Sequence, residues 1–196
     1  DFMRFIADNP DVPVVQMDSV IGNKSGKVLL TMFSQNTNLL LAFLRDHNTA
    51  RSVLDVFNDL YAMFGRETYC RLFPVILTDR GSEFSNPVPI EQDENDELRS
   101  LVFYCNPGAP YQKGGIEVAH ELVRRVLPKG KSFDDLQQED IDLMLSHINS
   151  YKRGKLNSRS AYQLFNFIYG DDILPKLNIR EIEANDIVLS PKLLKK

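Results

Sequence analysis

Cysteine is scarce in this sequence. Cys70 and Cys105 are its only two, they lie far apart, and they match no CxxC or Cys/His zinc spacing. That pattern leaves no disulfide framework and no zinc ribbon to build a fold on, and it reads as two small buried hydrophobes in a reducing, intracellular setting. Long apolar runs are also missing. The longest, Leu39 to Leu44, falls far short of the ~20 residues that span a bilayer, so no membrane partner is expected. The opening Asp1-Phe2-Met3-Arg4-Phe5 lacks the apolar stretch of a signal peptide, and with no initiator Met the chain reads as a piece of something longer. Internal repeats and low-complexity segments are absent too, which excludes solenoid and collagen-like classes.

What is present fits an ordinary globular domain: 196 residues, 43% hydrophobic, 26% charged and 10% aromatic. A chain of this length buries roughly 70% of its extended surface around one core. The net charge of −4 argues, taken alone, against nucleic-acid binding. The charge is segregated, however. Glu91 to Glu97 holds five acids in seven residues, whereas Lys152, Arg153, Lys155 and Arg159 are wholly basic and Lys113 to Lys131 carries five Lys/Arg against two Glu. A local basic face can grip phosphates on a chain that is acidic overall.

Residues 12–22, 27–34 and 39–45 read as three strands joined by turn chemistry at 22–26 and 35–38, an antiparallel meander. From Thr49 to Phe64 the period changes to that of a helix burying Val53, Phe57, Leu60 and Phe64, with Asn48 as its N-cap. A short buried strand at 73–78 follows. Residues 80–99 are polar, Pro-bearing and acidic and read as a loop or exposed flap, before a fifth strand at 101–105. Asn106 to Pro110 breaks the chain. Helices are expected over about 115–127, over 138–151 after a capping box at Ser132 to Asp135, and over 160–169, with a weakly patterned tail. The order describes an α/β fold, a mixed sheet flanked by helices. The divisions expected are a lead-in over 1–11, a core over 12–151 and a helical extension with tail over 152–196.

Three carboxylates stand where carboxylates are costly or well placed. Asp18 interrupts a strand that is apolar on both faces. Asp79 lies where an apolar strand ends, and Glu117 opens a helix just after Gly114-Gly115, opposite Ile116, Ala119 and Val123. Each alone has a structural reading: a paired acid, a turn residue, a first-turn acid favoured by the helix dipole. Two strand acids and one helix acid converging at a sheet edge are also how hard divalent metals are held by oxygen alone.

The residues around these acids resemble a known family. Val14 to Gly22 is similar to the first-Asp segment of bacterial DDE transposases, Leu77-Thr78-Asp79-Arg80-Gly81-Ser82-Glu83-Phe84 to the second, and Tyr104 to Glu117 to the third. Leu127 to Gly130 and His147 to Tyr151 resemble the branch of insertion sequences numbered thirty; the likeness spans about 12–168. It implies an RNase H-like core with a five-stranded mixed sheet, as in retroviral integrases. Asp18, Asp79 and Glu117 would hold two Mg²⁺ (or Mn²⁺), Asp18 touching both. Water would cut DNA at a transposon end, and the 3′-hydroxyl released would attack target DNA. The resemblance further implies a bacterial, cytoplasmic and nucleoid-associated protein whose partners are DNA and further copies of itself, in a dimer or higher assembly. Arg124, two helical turns beyond Glu117, takes the place of a DNA-contacting basic residue. Arg80 stands where the pattern usually has Asn, a departure that either alters the second-acid turn or adds a phosphate contact, while Val118 and Ala119 replace polar residues. The family's N-terminal helix-turn-helix is missing, so end recognition by this chain is expected to be poor.

Gln112, Lys113, Arg124, Arg125, Lys129 and Lys131 form a candidate phosphate track, with Lys152 and Arg153 as candidate contacts to target DNA. Glu83 and Glu121 read as surface acids, decoys or else substitute ligands, Tyr111 as a base-stacking residue or a loop anchor, and His120 as a helical histidine expected in solvent. Two other functions stay open: an RNase H-like nuclease that cuts without joining, and a non-catalytic domain that binds DNA or protein.

Overall fold

The computed structural model describes residues 2–23, 26–106 and 108–194. Lys24 and Ser25 of the first expected turn, and Pro107 of the expected chain break, lie outside the described residues. The chain opens with α1 (Phe2–Asp8), then runs through β1 (Val14–Ile21), β2 (Val28–Ser34), β3 (Leu40–Arg45), α2 (Ala50–Leu72), β4 (Val75–Thr78), α3 (Val88–Glu91) and β5 (Leu101–Tyr104). The second half holds α4 (Gly114–Val126), α5 (Gln138–Ser150), a small hairpin of β6 (Lys152–Arg153) and β7 (Arg159–Ser160), and α6 (Ala161–Tyr169). The main sheet is ordered β3-β2-β1-β4-β5, with β1/β2 and β2/β3 antiparallel and β1/β4 and β4/β5 parallel. This is the mixed five-stranded sheet flanked by helices that the RNase H-like resemblance implies.

Strand alternation decides which side chains meet. Val14, Gln16 and Asp18 share a face of β1, opposite Phe33 and Thr31 of β2, and Gln16 is paired with Leu77 of β4. Near β4 and β5 this face is covered by α1: Phe2 packs with Val14, Val75 and Leu77, and its ring lies 5.8 Å from that of Phe103. Near β1 and β2 it is covered by α4. Most of the remaining core, including Val15, Met17, Ile76, Phe57 and Leu60, forms one cluster with buried residues of α4, α5 and α6. Residues Phe165, Tyr169, Leu174 and Leu177, which the sequence set in an extension, are part of it.

The exposed hydrogen-bonding edge of β3 is closed by side chains of α5. Asn149 accepts from Leu40 N–H (2.9 Å) and donates to Leu40 C=O (2.8 Å), while Gln138 accepts from Leu44 N–H (2.8 Å) and donates to Ala42 C=O (3.0 Å). Two amides thus replace a sixth strand, which removes the sheet edge as a pairing template.

Four local expectations are corrected. The N-cap of α2 is Thr49, whose hydroxyl accepts from Ser52 N–H, and Asn48 instead serves Arg45 and Glu83. The same helix does not stop at Phe64: Gly65 turns out of helical geometry (φ 71°) and the chain resumes, carrying Tyr69 and Leu72 into the core. The cap of α5 is Gln137 with Asp140, because Ser132 and Asp134 bond each other and Asp134 holds Lys27 N–H. Residues 80–99 are more than a loop. They contain a 3₁₀ turn (Ser82–Phe84) and α3, bury Phe84, Ile90 and Arg99, and pin Asp93 to Tyr61 and Arg66. Among the described residues no helix is long and apolar enough to cross a membrane.

Candidate active site

The parallel strands lose their pairing where the acids stand. Ladder pairing between β1 and β4 ends at Gln16 and Leu77, so Asp18 and Asp79 each lie two residues further on in the same register. Cys105 N–H donates to Thr78 C=O (2.8 Å), which sets Cys105 beside Asp79 on the next strand. Strand ends in mixed sheets leave such a crevice open to ligands. Here it is a cleft of ≈ 300 Å³ lined by Asp18, Asp79, Cys105, Asn106, Gly108, Ala109, Lys113 and Glu117.

Both aspartates are oriented in the same way. One oxygen of each accepts a backbone N–H: Asp18 Oδ1 from Ser19 (2.8 Å) and Asp79 Oδ1 from Gly81 (2.9 Å), the latter closing a tight turn. The other oxygens converge on a single cation, Lys113 Nζ, at 3.2 Å from Asp18 Oδ2 and 3.3 Å from Asp79 Oδ2. Glu117 is exposed on the first turn of α4 and forms another wall of the same cleft. Among the described residues no three His, Cys, Asp or Glu side chains stand close enough together to hold a metal ion. The donor set itself suits one: hard carboxylate oxygens fit Mg²⁺ or Mn²⁺, and the ammonium of Lys113 stands where a cation between the aspartates belongs.

Three residues the sequence reading did not single out build this geometry. Gln16, 2% exposed and two positions before Asp18 on the same face, donates to Gln112 C=O (2.9 Å) and accepts from Ile116 N–H (2.7 Å). It therefore clamps the start of α4, and with it Glu117, to the strand that carries Asp18. Its signal was available: like Asp18, it is a polar residue inside an apolar strand. Gly115 supplies the close approach, since a Cβ there would lie 2.5 Å from Phe33. Arg45 is 4% exposed and donates to Ser19 Oγ (3.1 Å), Asn48 Oδ1 (2.9 Å) and Ser52 Oγ (3.0 Å). Burial pulls its pKa down to about 10 against the opposing pull of Glu83. This network steadies Ser19, whose N–H orients Asp18.

The remaining candidates divide. His120 does not face solvent. Thr31 gives its only hydroxyl proton to Asp18 C=O (3.0 Å), so the ring contact at 2.8 Å is donated by His120 Nε2. Burial lowers the pKa of His120, opposed by Asp18. Gln112 and Lys113 turn inward rather than along a surface track: Gln112 is 6% exposed and its Oε1 accepts from Asn106 N–H (2.7 Å). Arg124 is half-buried and donates to Ile21 C=O (2.9 Å) at the end of β1; burial lowers its pKa. Arg125, Lys129 and Lys131 are exposed past it, and exposed Arg80 lies over the Tyr104 ring at 5.7 Å. Exposed Tyr111 flanks the cleft-lining loop, Glu121 is exposed on α4, and Glu83 accepts from Asn48 (2.8 Å). Lys152 and Arg153 lie elsewhere. Arg153 donates to Asn38 C=O in the β2–β3 turn, which abuts Val14 at the end of β1 away from Asp18.

No family model matches the chain. A putative integrase, ORF3, of Spiroplasma virus SpV1-R8A2 B is 29% identical over 151 residues, covering 77% of this chain and 45% of that protein. The transposase InsI of insertion element IS30A from Escherichia coli K12 is 22% identical over 147 residues, covering 75% of this chain and 36% of the transposase. The chain thus spans less than half the length of these relatives. Among solved structures, the catalytic core domain of BIV integrase superposes with a TM-score of 0.52 at 21% identity, over 80% of this chain and 92% of that domain. Sequence and fold point the same way: the chain is similar in sequence to integrases and transposases, and its fold is that of an integrase catalytic core.

Proposed function

We propose that the chain is the catalytic core of a DDE transposase, which cuts DNA at transposon ends and transfers the 3′-hydroxyl into target DNA. The observation that carries this reading is the convergence of Asp18 Oδ2 and Asp79 Oδ2 on one cation position, in a cleft that Glu117 also lines. Asp18, Asp79 and Glu117 would hold two Mg²⁺ or Mn²⁺ ions. When bound, such ions supply positive charge at the scissile phosphate and ease deprotonation of the attacking oxygen.

The chain's own groups do the positioning. Ser19 and Gly81 N–H groups spend one oxygen of each aspartate and so aim the other at the cleft. Gln16 keeps the helix bearing Glu117 on the strand bearing Asp18. Arg80, Arg124, Arg125 and Lys129, on the turn after β4 and on and just beyond α4, supply charge for the DNA backbone. In function the core acts in the bacterial cytoplasm on nucleoid DNA, as a dimer or higher assembly that holds two ends.

The test is Mn²⁺-dependent joining of a pre-cut transposon-end duplex to supercoiled plasmid, comparing wild type with Asp18→Asn. A joined product that disappears in the variant supports the reading. Nicking without joining favours the simple nuclease. Inactivity together with no Mn²⁺ uptake by calorimetry refutes catalysis and leaves a binding domain.

A further inference from the structure

Lys113 is placed by the fold and not by chance contact. It ends the 3₁₀ turn Pro110–Lys113 and immediately precedes α4. The turn is tied down on both sides, by Gln112 Oε1 to Asn106 N–H and by Gln112 C=O to Gln16. From that fixed root the side chain, 8% exposed, reaches two carboxylates that are 27% and 51% exposed. Two ionised aspartates side by side repel unless a positive charge stands between them. Because the other oxygen of each is already taken by a backbone N–H, the oxygens facing Lys113 are the ones a hard cation would use. Such a cation sits about 2.0–2.6 Å from its oxygens. It cannot share the space between Asp18 and Asp79 with an ammonium 3.2 and 3.3 Å from the same atoms. The cleft beyond, ≈ 300 Å³ and lined by Asn106, Gly108 and Ala109, gives the lysine stem room to leave.

We propose that Lys113 is the resident counter-ion of the aspartate pair, holding the two acids together in the metal-free protein and competing with the divalent cation for them. The proposal rests on the reading of Asp18 and Asp79 as metal ligands. Lys113 is thus a positioning residue: it preserves an assembled site before metal arrives and weakens the affinity with which metal is taken up.

The test is calorimetric titration of the full chain with Mn²⁺, using wild type, Lys113→Met and Asp18→Asn, together with melting in chelator and in Mn²⁺. Removing one competing ion pair of ordinary strength tightens binding by up to about fivefold, and losing the two made by Lys113 brings this to about tenfold. Lys113→Met is therefore expected to bind Mn²⁺ several-fold to about tenfold more tightly, to melt lower than wild type in chelator, and to gain more from added Mn²⁺. A lysine that merely packed, or merely gripped DNA, would not tighten metal binding when removed. If Lys113→Met does not fold, Lys113→Gln, which keeps a polar end without the charge, carries the same expectation. Equal or weaker Mn²⁺ affinity in the neutral variant overturns the proposal while leaving the metal reading intact. No uptake by wild type and variant alike overturns both.

Discussion

Gly114 and Gly115 are adjacent, yet alanine at the two positions is expected to act with opposite sign. At Gly115 a Cβ would lie 2.5 Å from Phe33 Cε1 and 3.0 Å from Gln16 Oε1, where ordinary contact begins at 3.4 Å. Neither neighbour can yield cheaply. Phe33 is 3% exposed, and Gln16 is 2% exposed with its oxygen already accepting from Ile116 N–H at 2.7 Å. Relief requires α4 to lift from the sheet by about 1 Å. Overpacking of this kind costs about 1–3 kcal/mol, and at this chain length each kcal/mol lowers Tm by roughly 2–4 °C. Gly115→Ala is therefore expected to melt about 2–12 °C below wild type. At Gly114 a Cβ meets nothing within 4 Å, and the backbone (φ −57°, ψ −27°) already suits alanine. Gly114→Ala restricts only the unfolded chain and is expected to stabilise by about 0.4–1 kcal/mol. Thermal and urea unfolding of the two variants decide the matter. A Gly115→Ala protein as stable as wild type, or a Gly114→Ala protein destabilised to the same degree, would refute close packing of α4 on β1 and β2. Because Glu117 rides on the lifted turn, joining activity of Gly115→Ala is also expected to fall, about 10²-fold for a 1 Å displacement.

Two further perturbations probe the frame around the site. Asn149→Ala strips both partners from Leu40 on the closed edge of β3, so a loss of about 2–4 kcal/mol is expected in urea unfolding; a loss under 1 kcal/mol would mean that water replaces the amide. His147, 6% exposed, accepts from Val188 N–H (3.1 Å) at Nδ1, and burial, assisted by Arg180 and opposed by Asp186, holds its pKa below 6.5. The unfolded chain therefore takes up the proton first. The stability that depends on neutral His147 is present above pH 6.5 and is lost as pH falls through the lowered folded value. Wild type should lose more Tm between about pH 7.5 and 5.5 than His147→Gln, and parallel profiles would show that this histidine does not titrate with unfolding.

The acids were legible in the sequence for a reason that does not depend on the fold: a carboxylate within an apolar strand or at its end is costly unless it is used. Asp18 and Asp79 announced themselves in this way, and the antiparallel pairing of the first three strands followed from the short turns between them. The partners of those acids were not legible. Lys113 carries the charge of a phosphate contact in sequence, and only the register of β1 against β4 shows that it points at both aspartates. His120 is helical and polar, and nothing near it in the chain signals Thr31 in β2 as its partner. The kink at Gly65 hid the second part of α2, because a Gly after four periodic apolar residues reads as a stop. The seven residues of α1 are too few to show a period.

The groups that touch the two aspartates' strands and the helix of Glu117 directly are mostly neutral, with the Arg45 guanidinium bracing Ser19 from behind. Gln16 uses both ends of its amide, donating to Gln112 C=O and accepting from Ile116 N–H, so the strand with Asp18 and the helix with Glu117 are joined without charge. The aspartates are aimed by the N–H groups of Ser19 and Gly81, again without charge. Neutral hydrogen bonds in buried surroundings keep their geometry whether or not a cation is bound, whereas a frame built on ion pairs would rearrange with every change of charge in the cleft. The charged contact that remains at the aspartates is the one to Lys113, and it is placed where a divalent cation would have to replace it. Positioning and charge balance are thereby assigned to different residues. Loss of Gln16 or Gly115 should disturb where Glu117 stands, whereas loss of Lys113 should leave Glu117 in place and change how the aspartates are held together and how tightly they take up a metal.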